Sequence, residues 1–204
     1  MGGQPDRIEA RFLISAPSLG HCPPADVPEV AVAGRSNSGK SSVINQLTRN
    51  RQLARTSKTP GRTQLLNFFA TTLGGRLVDL PGYGYARVAK PQQRFWATNV
   101  EDYLRKRSNL AGLVLVMDIR HPFESYDEVM LEWARQSELP TLVLLNKSDK
   151  LKRGAALTAL RAARARLTAA IFTVQLFSAR TGCGRDEAIA HLSAWLTLPD
   201  VAVQ

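Results

Sequence analysis

Two cysteines, Cys22 and Cys183, and three histidines, His21, His121 and His191, are all that this 204-residue chain offers for a disulfide framework or a soft-metal site. None stands in a C-x-x-C or Cys/His spacing, so the pattern supports neither a zinc site nor a bridge, and two reduced thiols are expected. The scattered histidines carry no catalytic reading. Long apolar runs are missing as well. The longest, Leu110 to Met117, is the length of a strand, so the sequence predicts no membrane span and no membrane partner. Asp6, Arg7 and Glu9 interrupt the N-terminus and no apolar secretion core follows, which makes the cytoplasm the expected location.

Acids are scarce in two long stretches. Between Glu29 and Asp79 there is none, while Arg35, Lys40, Arg49, Arg51, Arg55, Lys58, Arg62 and Arg76 occur. A second acid-free stretch, between Asp149 and Asp186, carries Lys150, Lys152, Arg153, Arg161, Arg164, Arg166, Arg180 and Arg185. With a net charge of +10 and a pI of about 10.2, these blocks favour a polyanionic partner such as RNA or a ribonucleoprotein. Hydrophobic residues at 44% and charged residues at 22% are otherwise those of a globular chain long enough for one sizeable core.

What is present is a complete G-x-x-x-x-G-K-[ST] loop, Gly34-Arg35-Ser36-Asn37-Ser38-Gly39-Lys40-Ser41, between the apolar run Val30 to Ala33 and an amphipathic stretch. A polyphosphate must be approached by many N–H groups at once, which a chain without Cβ atoms at Gly34 and Gly39 allows. Lys40 supplies a point charge for the β- and γ-phosphates and Ser41 a hydroxyl for Mg²⁺, at the positive end of the following helix. The rest of the chain alternates β-rich and helical runs. Strands are expected near 30–33, 65–71, 76–80, 112–118, 141–146 and 171–177, and helices near 40–48, 92–107, 125–136, 155–167 and 184–196. This predicts an α/β fold with a mostly parallel six-stranded sheet, one antiparallel edge strand and helices on both faces. Residues 1–28 read as an N-terminal extension and 29–204 as a single nucleotide-binding domain.

Three later signatures separate a GTPase from kinases and ATPases with the same loop. Asp79-Leu80-Pro81-Gly82 follows an apolar strand, placing a carboxylate where open α/β sheets bind ligands; Asp79 can hold Mg²⁺ through a water and the Gly82 N–H can reach a γ-phosphate. Asn146-Lys147-Ser148-Asp149 follows the strand Leu142 to Leu145. Asp149 can accept from the guanine N1–H and exocyclic amine, Asn146 can meet the N7 edge, and the Lys147 stem can cover the ring; adenine would leave the carboxylate unpaired. Phe177-Ser178-Ala179-Arg180 lies where loop amides can meet the guanine O6. Between these, Ser57 to Gln64 is polar and turn-rich, with Thr59 and Thr63 both able to close over Mg²⁺ and the γ-phosphate.

Together the loop Gly34 to Ser42, Thr59-Pro60-Gly61-Arg62-Thr63-Gln64, and Asp79-Leu80-Pro81-Gly82-Tyr83-Gly84-Tyr85-Ala86 resemble the EngB family of bacterial GTP-binding proteins, also called YihA or YsxC, over about Glu29 to Leu196. The resemblance implies the P-loop GTPase fold and a single-domain GTPase associated with assembly of the large ribosomal subunit and needed for normal cell division and septation. It implies GTP or GDP contacts from residues 34 to 41, from Gly61, Arg62, Thr63, Gln64 and Leu65, from Asp79, Leu80, Pro81 and Gly82, from Asn146, Lys147, Ser148 and Asp149, and from Phe177, Ser178 and Ala179. Mg²⁺ would bind Ser41 and Thr63, the family pattern choosing Thr63 over Thr59. Asn146 departs from the Thr frequent in this family.

Hydrolysis would rest on Lys40, Thr63, Gly82 and Asn37. A Ras-like enzyme has a water-orienting Gln where this chain has Tyr83, so intrinsic turnover is expected to be slow. Asn37 is expected to help bind K⁺ beside the β- and γ-phosphates. Tyr83, Tyr85, Arg87, Lys90 and Arg94, with the 49 to 62 loop, are expected to form a nucleotide-dependent surface for rRNA or ribosomal protein of the large subunit or its precursor, the alternative being that both tyrosines pack locally. Nothing points beyond a monomer. Two alternatives remain from the residues alone: a non-ribosomal, GTP-dependent regulator of cell division acting through a protein partner, and a P-loop phosphotransferase.

Overall fold

The computed structural model describes residues 8–54, 65–83 and 99–198. Its centre is a sheet in the order β1-β3-β4-β2-β5-β6-β7. The strands are β1 (Ala10–Ala16), β2 (Glu29–Gly34), β3 (Leu66–Thr71), β4 (Arg76–Asp79), β5 (Leu110–Asp118), β6 (Thr141–Asn146) and β7 (Phe172–Leu176). The helices are α1 (Lys40–Leu47), α2 (helical over 99–106), α3 (Ser125–Gln136), α4 (Arg153–Arg166) and α5 (Arg185–Leu196). From β4 to β7 every pairing is parallel, while β1 with β3 and β3 with β4 are antiparallel.

The sheet thus has seven strands rather than the expected six, and the antiparallel strand β3 is internal because β1 covers its outer side. β1 comes from the stretch read as an extension. Its sequence lacks a period of two for a physical reason: residues 11–14 are all exposed, so no face of it must be apolar, and the register shifts between Phe12 and Ile14. The expected start of the second helix, 92–98, lies outside the described residues.

The parallel strands bury both faces, which explains their continuous apolar runs. β2 shows the consequence of strand alternation: Val30 and Val32 face α1 and α5 with Val43, Ile44, Leu47, Ile189 and Leu192. Ala31 and Ala33 face the opposite cluster, which holds Tyr103, Leu104, Met130, Leu131 and Ala163 of α2, α3 and α4. Because β2, β4, β5, β6 and β7 run in one direction, their C-terminal ends deliver five loops to one sheet edge, where open α/β folds take ligands.

The opposite edge is closed by charge. Glu29, at the start of β2, is fully buried, and its carboxylate accepts from the Tyr103 hydroxyl at 3.0 Å and from Arg107 Nε and Nη2 at 2.8 and 2.6 Å. Arg76 Nη1 adds a longer contact at 3.3 Å, and both arginines also hold the 23–26 segment through the Pro23 and Pro24 carbonyls and Asp26. Burial, then the Glu29 charge, pushes the Tyr103 phenol well above its ordinary range. Removing Glu29 takes from Arg107, 8% exposed, its carboxylate partner and leaves it only proline carbonyls, while Arg76, 11% exposed, keeps Asp26. Glu29→Ala is therefore expected to lower unfolding free energy by about 3 kcal/mol or more, and Tyr103→Phe by about 1 kcal/mol, in urea titrations. A loss below about 0.5 kcal/mol for Glu29→Ala would show that the network contributes nothing to stability.

Candidate functional site

The loop leaving β2 closes into α1 through a turn that only particular residues permit. Asn37 and Gly39 have φ of 66° and 96°. A side chain at Gly39 would be strained by that angle, and a Cβ there would collide with Asn146 Nδ2. The first helical bond of α1 runs from Val43 N to Gly39 O at 2.9 Å, which leaves the amides of Lys40, Ser41 and Ser42 without intrahelical acceptors, pointing out of the helix start. Inside the loop the Ser38 hydroxyl is buried and has no partner among the described residues.

The loop after β4 reaches across to this cradle. Lys40 Nζ donates to Asp79 Oδ1, pairing the two charged groups that the sequence assigns to phosphate and metal. The Ser36 amide donates to the Tyr83 carbonyl at 2.7 Å. Gly82 lies directly over Ser36, so that a Cβ there would project to 3.7 Å from the Ser36 backbone, into the cradle. Tyr83 itself is 2% exposed and its hydroxyl donates to Asp127 Oδ1 at 2.7 Å, with its ring 5.9 Å from that of Tyr126. This corrects the expectation that Tyr83 belongs to a basic aromatic surface: the phenol is an internal anchor between the Asp79 loop and the first turn of α3. Asp127 is raised above the usual carboxylate range by burial, against the Tyr83 hydrogen bond. It also accepts from the Glu124 amide at 3.1 Å to complete the α3 cap.

At the other end, Asn146 closes β6 and is 2% exposed. Its Nδ2 donates to the Ser38 carbonyl at 2.9 Å and its Oδ1 accepts from the Ala179 amide at 3.1 Å. One Nδ2 hydrogen remains for a purine edge. Lys147, at φ 64°, places Nζ on the Asn37 carbonyl at 2.5 Å and on Asp118 Oδ2 at 2.9 Å. Asp149 accepts from the Ser178 hydroxyl at 2.6 Å and from Arg180 Nε at 2.8 Å; the Ser178 bond, then Arg180, holds its carboxyl below the ordinary range, so it is ionised at neutral pH. Ser148 is placed by its amide on the Phe177 carbonyl at 3.1 Å. The Phe177 ring is fully buried, so only the backbone of that residue faces the loop.

Asp118 and Arg120 went unread in the sequence. Asp118 ends β5, in register with Asn146, and accepts from Arg120 Nε at 3.0 Å and Nη2 at 2.6 Å as well as from Lys147. Despite desolvation, these bonds keep its carboxyl well below the ordinary range. The signal was available: a carboxylate ending an apolar strand, as at Asp79. Leu65 is half-buried just before β3. Gly61, Arg62, Thr63 and Gln64, with Thr59, Tyr85, Arg87, Lys90 and Arg94, lie outside the described residues.

The donor set fits a hard cation held with phosphate. Ser41 in the first turn of α1 and the Asp79 carboxylate offer oxygen ligands, and among the described residues no cluster of three or more His, Cys, Asp or Glu forms a cage of its own. Mg²⁺ is commonly held this way, by one or two protein oxygens plus phosphates and waters. Both cysteines are free, and burial pushes the Cys22 thiol up to about 11. No described helix is long and apolar enough to cross a membrane.

Comparison with known proteins agrees with this geometry. A family profile described as "50S ribosome-binding GTPase" matches residues 29–147. A protein of Methylococcus capsulatus named "Probable GTP-binding protein EngB" is 50% identical over 195 residues, covering 94% of this chain and 93% of its own. A crystal structure of a protein named in the same way superposes with a TM-score of 0.66 at 24% identity, covering 82% of this chain and 98% of its own. Era in complex with MgGDPNP and a segment of 16S ribosomal RNA superposes at 0.67 with 19% identity, over 85% of this chain and 58% of that one, a likeness of fold alone. A phosphate cradle, a facing Asp79 loop and an Asn-Lys-Ser-Asp loop on one edge of a P-loop GTPase sheet, with a half-identical relative along nearly its whole length, establish that the chain belongs to the EngB family of GTP-binding proteins.

Proposed function

We propose that this single-domain protein binds GTP with Mg²⁺, hydrolyses it slowly, and acts as a nucleotide-dependent switch on the large ribosomal subunit or its precursor during assembly, a step that cell division requires. The observation that carries the guanine assignment is the ionised Asp149 carboxylate, fixed by Ser178 and flanked by Asn146 and Lys147. Guanine presents two donors to such a carboxylate and adenine none, which also argues against a general phosphotransferase.

In this reading Lys40 exchanges Asp79 for the β- and γ-phosphates, and the free amides of α1 take the remaining oxygens. Ser41 and Thr63 hold the Mg²⁺, which when bound neutralises charge on the phosphate oxygens. The Gly82 amide, over Ser36, reports whether a γ-phosphate is present. Slow turnover follows from Tyr83: its hydroxyl is committed to Asp127, so it does not orient the attacking water. Asn37, exposed at the cradle's mouth, helps hold K⁺ beside the phosphates and so supplies transition-state charge.

The ribosomal part is supported by the family to which the chain belongs, by the basic charge, and by the RNA-bound Era neighbour of similar fold. Its test is co-sedimentation with large subunits and their precursors across a salt series. Retention with a GTP analogue and release with GDP is expected; equal retention with both would remove the switch, and no retention would leave the protein-partner reading of cell-division control.

Two measurements probe the pocket. Asp118→Asn frees Lys147 and Arg120 and should weaken GTP and GDP alike, by about tenfold in fluorescent-nucleotide titrations, because the loss is at the base end. Asp149→Ala should cost roughly a thousandfold and abolish the preference over ATP; a selective loss of GTP in Asp118→Asn would contradict its role in positioning Lys147. Hydrolysis should run faster in KCl than in NaCl, with the difference lost in Asn37→Ala; equal rates in both salts for the unaltered protein would remove the K⁺ assignment.

A further inference from the structure

Away from the nucleotide site, the free edge of the sheet carries an unusual combination. On β1, Phe12, Leu13 and Ile14 are 54%, 39% and 42% exposed. Phe12 meets Phe69 edge to face at 6.1 Å, and Phe12 and Ala10, two residues apart before the bulge, share the sheet face that α1 covers. At the Ala10 end of that face, two strand positions from Phe12, a cleft of about 530 Å³ opens between Glu9–Ala10 and Thr48–Gln52, the loop that follows α1.

That loop is held in shape chiefly by Asn45, with Asn50 Oδ1 accepting from the Gln52 amide at 3.1 Å. Asn45 Nδ2 donates to the carbonyls of Arg51 and Ala54 at 3.1 and 3.0 Å, and its Oδ1 accepts from the Ala54 amide at 2.7 Å. The Asn50 amide returns to the Asn45 carbonyl at 3.1 Å, and Arg49 sits at φ 50°, an angle that a non-glycine residue rarely takes. The guanidinium groups of Arg49 and Arg51 are thereby presented to solvent from a fixed backbone. Neither has an ion pair among the described residues, whereas Arg76, Arg107, Arg120 and Arg166 all do. Glu9 is the one acid lining the cleft.

We propose that this edge is a binding surface for single-stranded RNA, with a base stacked on Phe12 and the neighbouring phosphates on Arg49 and Arg51. The proposal names the partner chemistry of the ribosomal reading above and rests on it. Charge decides the class of occupant: unpaired guanidinium groups next to an open aromatic ring match a chain of phosphates and bases. A base must be unstacked to lie on Phe12, which selects a single strand over a duplex. A protein strand adding to the edge is disfavoured, because the bulge between Phe12 and Ile14 breaks the register that such a strand would need.

The test is fluorescence polarisation of a labelled mixed-sequence oligoribonucleotide of about ten nucleotides, a length within single-strand site sizes. It is run with the full chain, with and without a GTP analogue, alongside sedimentation with ribosomal particles. Phe12→Ala should weaken binding about tenfold and Phe12→Trp should retain it. The double variant Arg49→Ala/Arg51→Ala should lower the slope of log affinity against log salt by about 1.4. Fluorescent GTP affinity should be unchanged in all of them, which certifies the fold. Equal oligonucleotide binding by all variants overturns the surface. So does sedimentation that is sensitive to Phe12 without any oligonucleotide binding, since the partner there would be protein. Oligonucleotide binding that depends on Phe12, in a protein that fails to sediment with particles, keeps this surface and removes the ribosomal reading.

Discussion

Asn146 donates to the Ser38 carbonyl and accepts from the Ala179 amide, and through those two bonds the phosphate loop, the end of β6 and the loop after β7 become one rigid unit. A nucleotide spans just such a distance: its phosphates and its base are recognised by different loops, whose separation must be correct before either contributes fully. A buried carboxamide is suited to the task because it has both a donor and an acceptor, and because breaking either bond in a 2% exposed position leaves a polar group without water. Lys147 repeats the tie from the next residue, reaching the Asn37 carbonyl while Asp118 steadies its charge.

The parallel sheet makes such ties possible. Asp79, Asp118 and Asn146 each end a strand, and the register sets Val32 opposite Asp79 and Asp118 opposite Asn146. The side chains of Asp118 and Asn146 therefore emerge side by side, while Asp79, level with Val32 and Val114, stands lower on the same edge and meets Lys40, without any of them having to be carried on a long loop. The cost of so many polar groups at one edge is lowered by mutual pairing: Asp79 with Lys40, Asp118 with Arg120 and Lys147, Asp149 with Ser178 and Arg180. Ligand binding then exchanges partners that are already hydrogen-bonded, so affinity reflects the difference between two sets of bonds. Arg180, 68% exposed, is the loosest of these partners and, on the proposed reading, the one that a guanine edge would displace most cheaply.

How much of this was legible in the sequence follows from where each constraint acts. The phosphate loop and the Asn-Lys-Ser-Asp turn were readable because ligand chemistry dictates residue type at fixed local spacing, and the parallel order was readable because strands buried on both faces must be apolar throughout. β1 escaped because an exposed, bulged edge strand carries no alternation. The Glu29 network escaped because its partners lie 47 to 78 residues away, and no local pattern marks Glu29 as buried. The dual use of Asn146 escaped for the same reason, its partner Ser38 being 108 residues distant. Tyr83 stood undecided between surface and interior because Tyr-Gly-Tyr beside basic residues looks the same whether its first ring turns in or out.

That inward turn has consequences for how a nucleotide state could be transmitted. Tyr83 joins three elements: its carbonyl takes the Ser36 amide of the phosphate loop, its backbone follows Gly82 directly, and its hydroxyl ends on Asp127 in the first turn of α3. Arg35 adds a second strut from the phosphate loop to Glu124, at 3.4 Å. A displacement of Gly82 toward a γ-phosphate would pull on both ends of this arrangement. Because the Tyr83 ring is buried, it would have to move as a packed unit or not at all. On the proposed reading, the residue that stands where a Ras-like enzyme has a water-orienting glutamine trades chemistry for mechanical coupling, which suits a switch with a long-lived GTP state and a firm connection from the phosphate to the helix that flanks it.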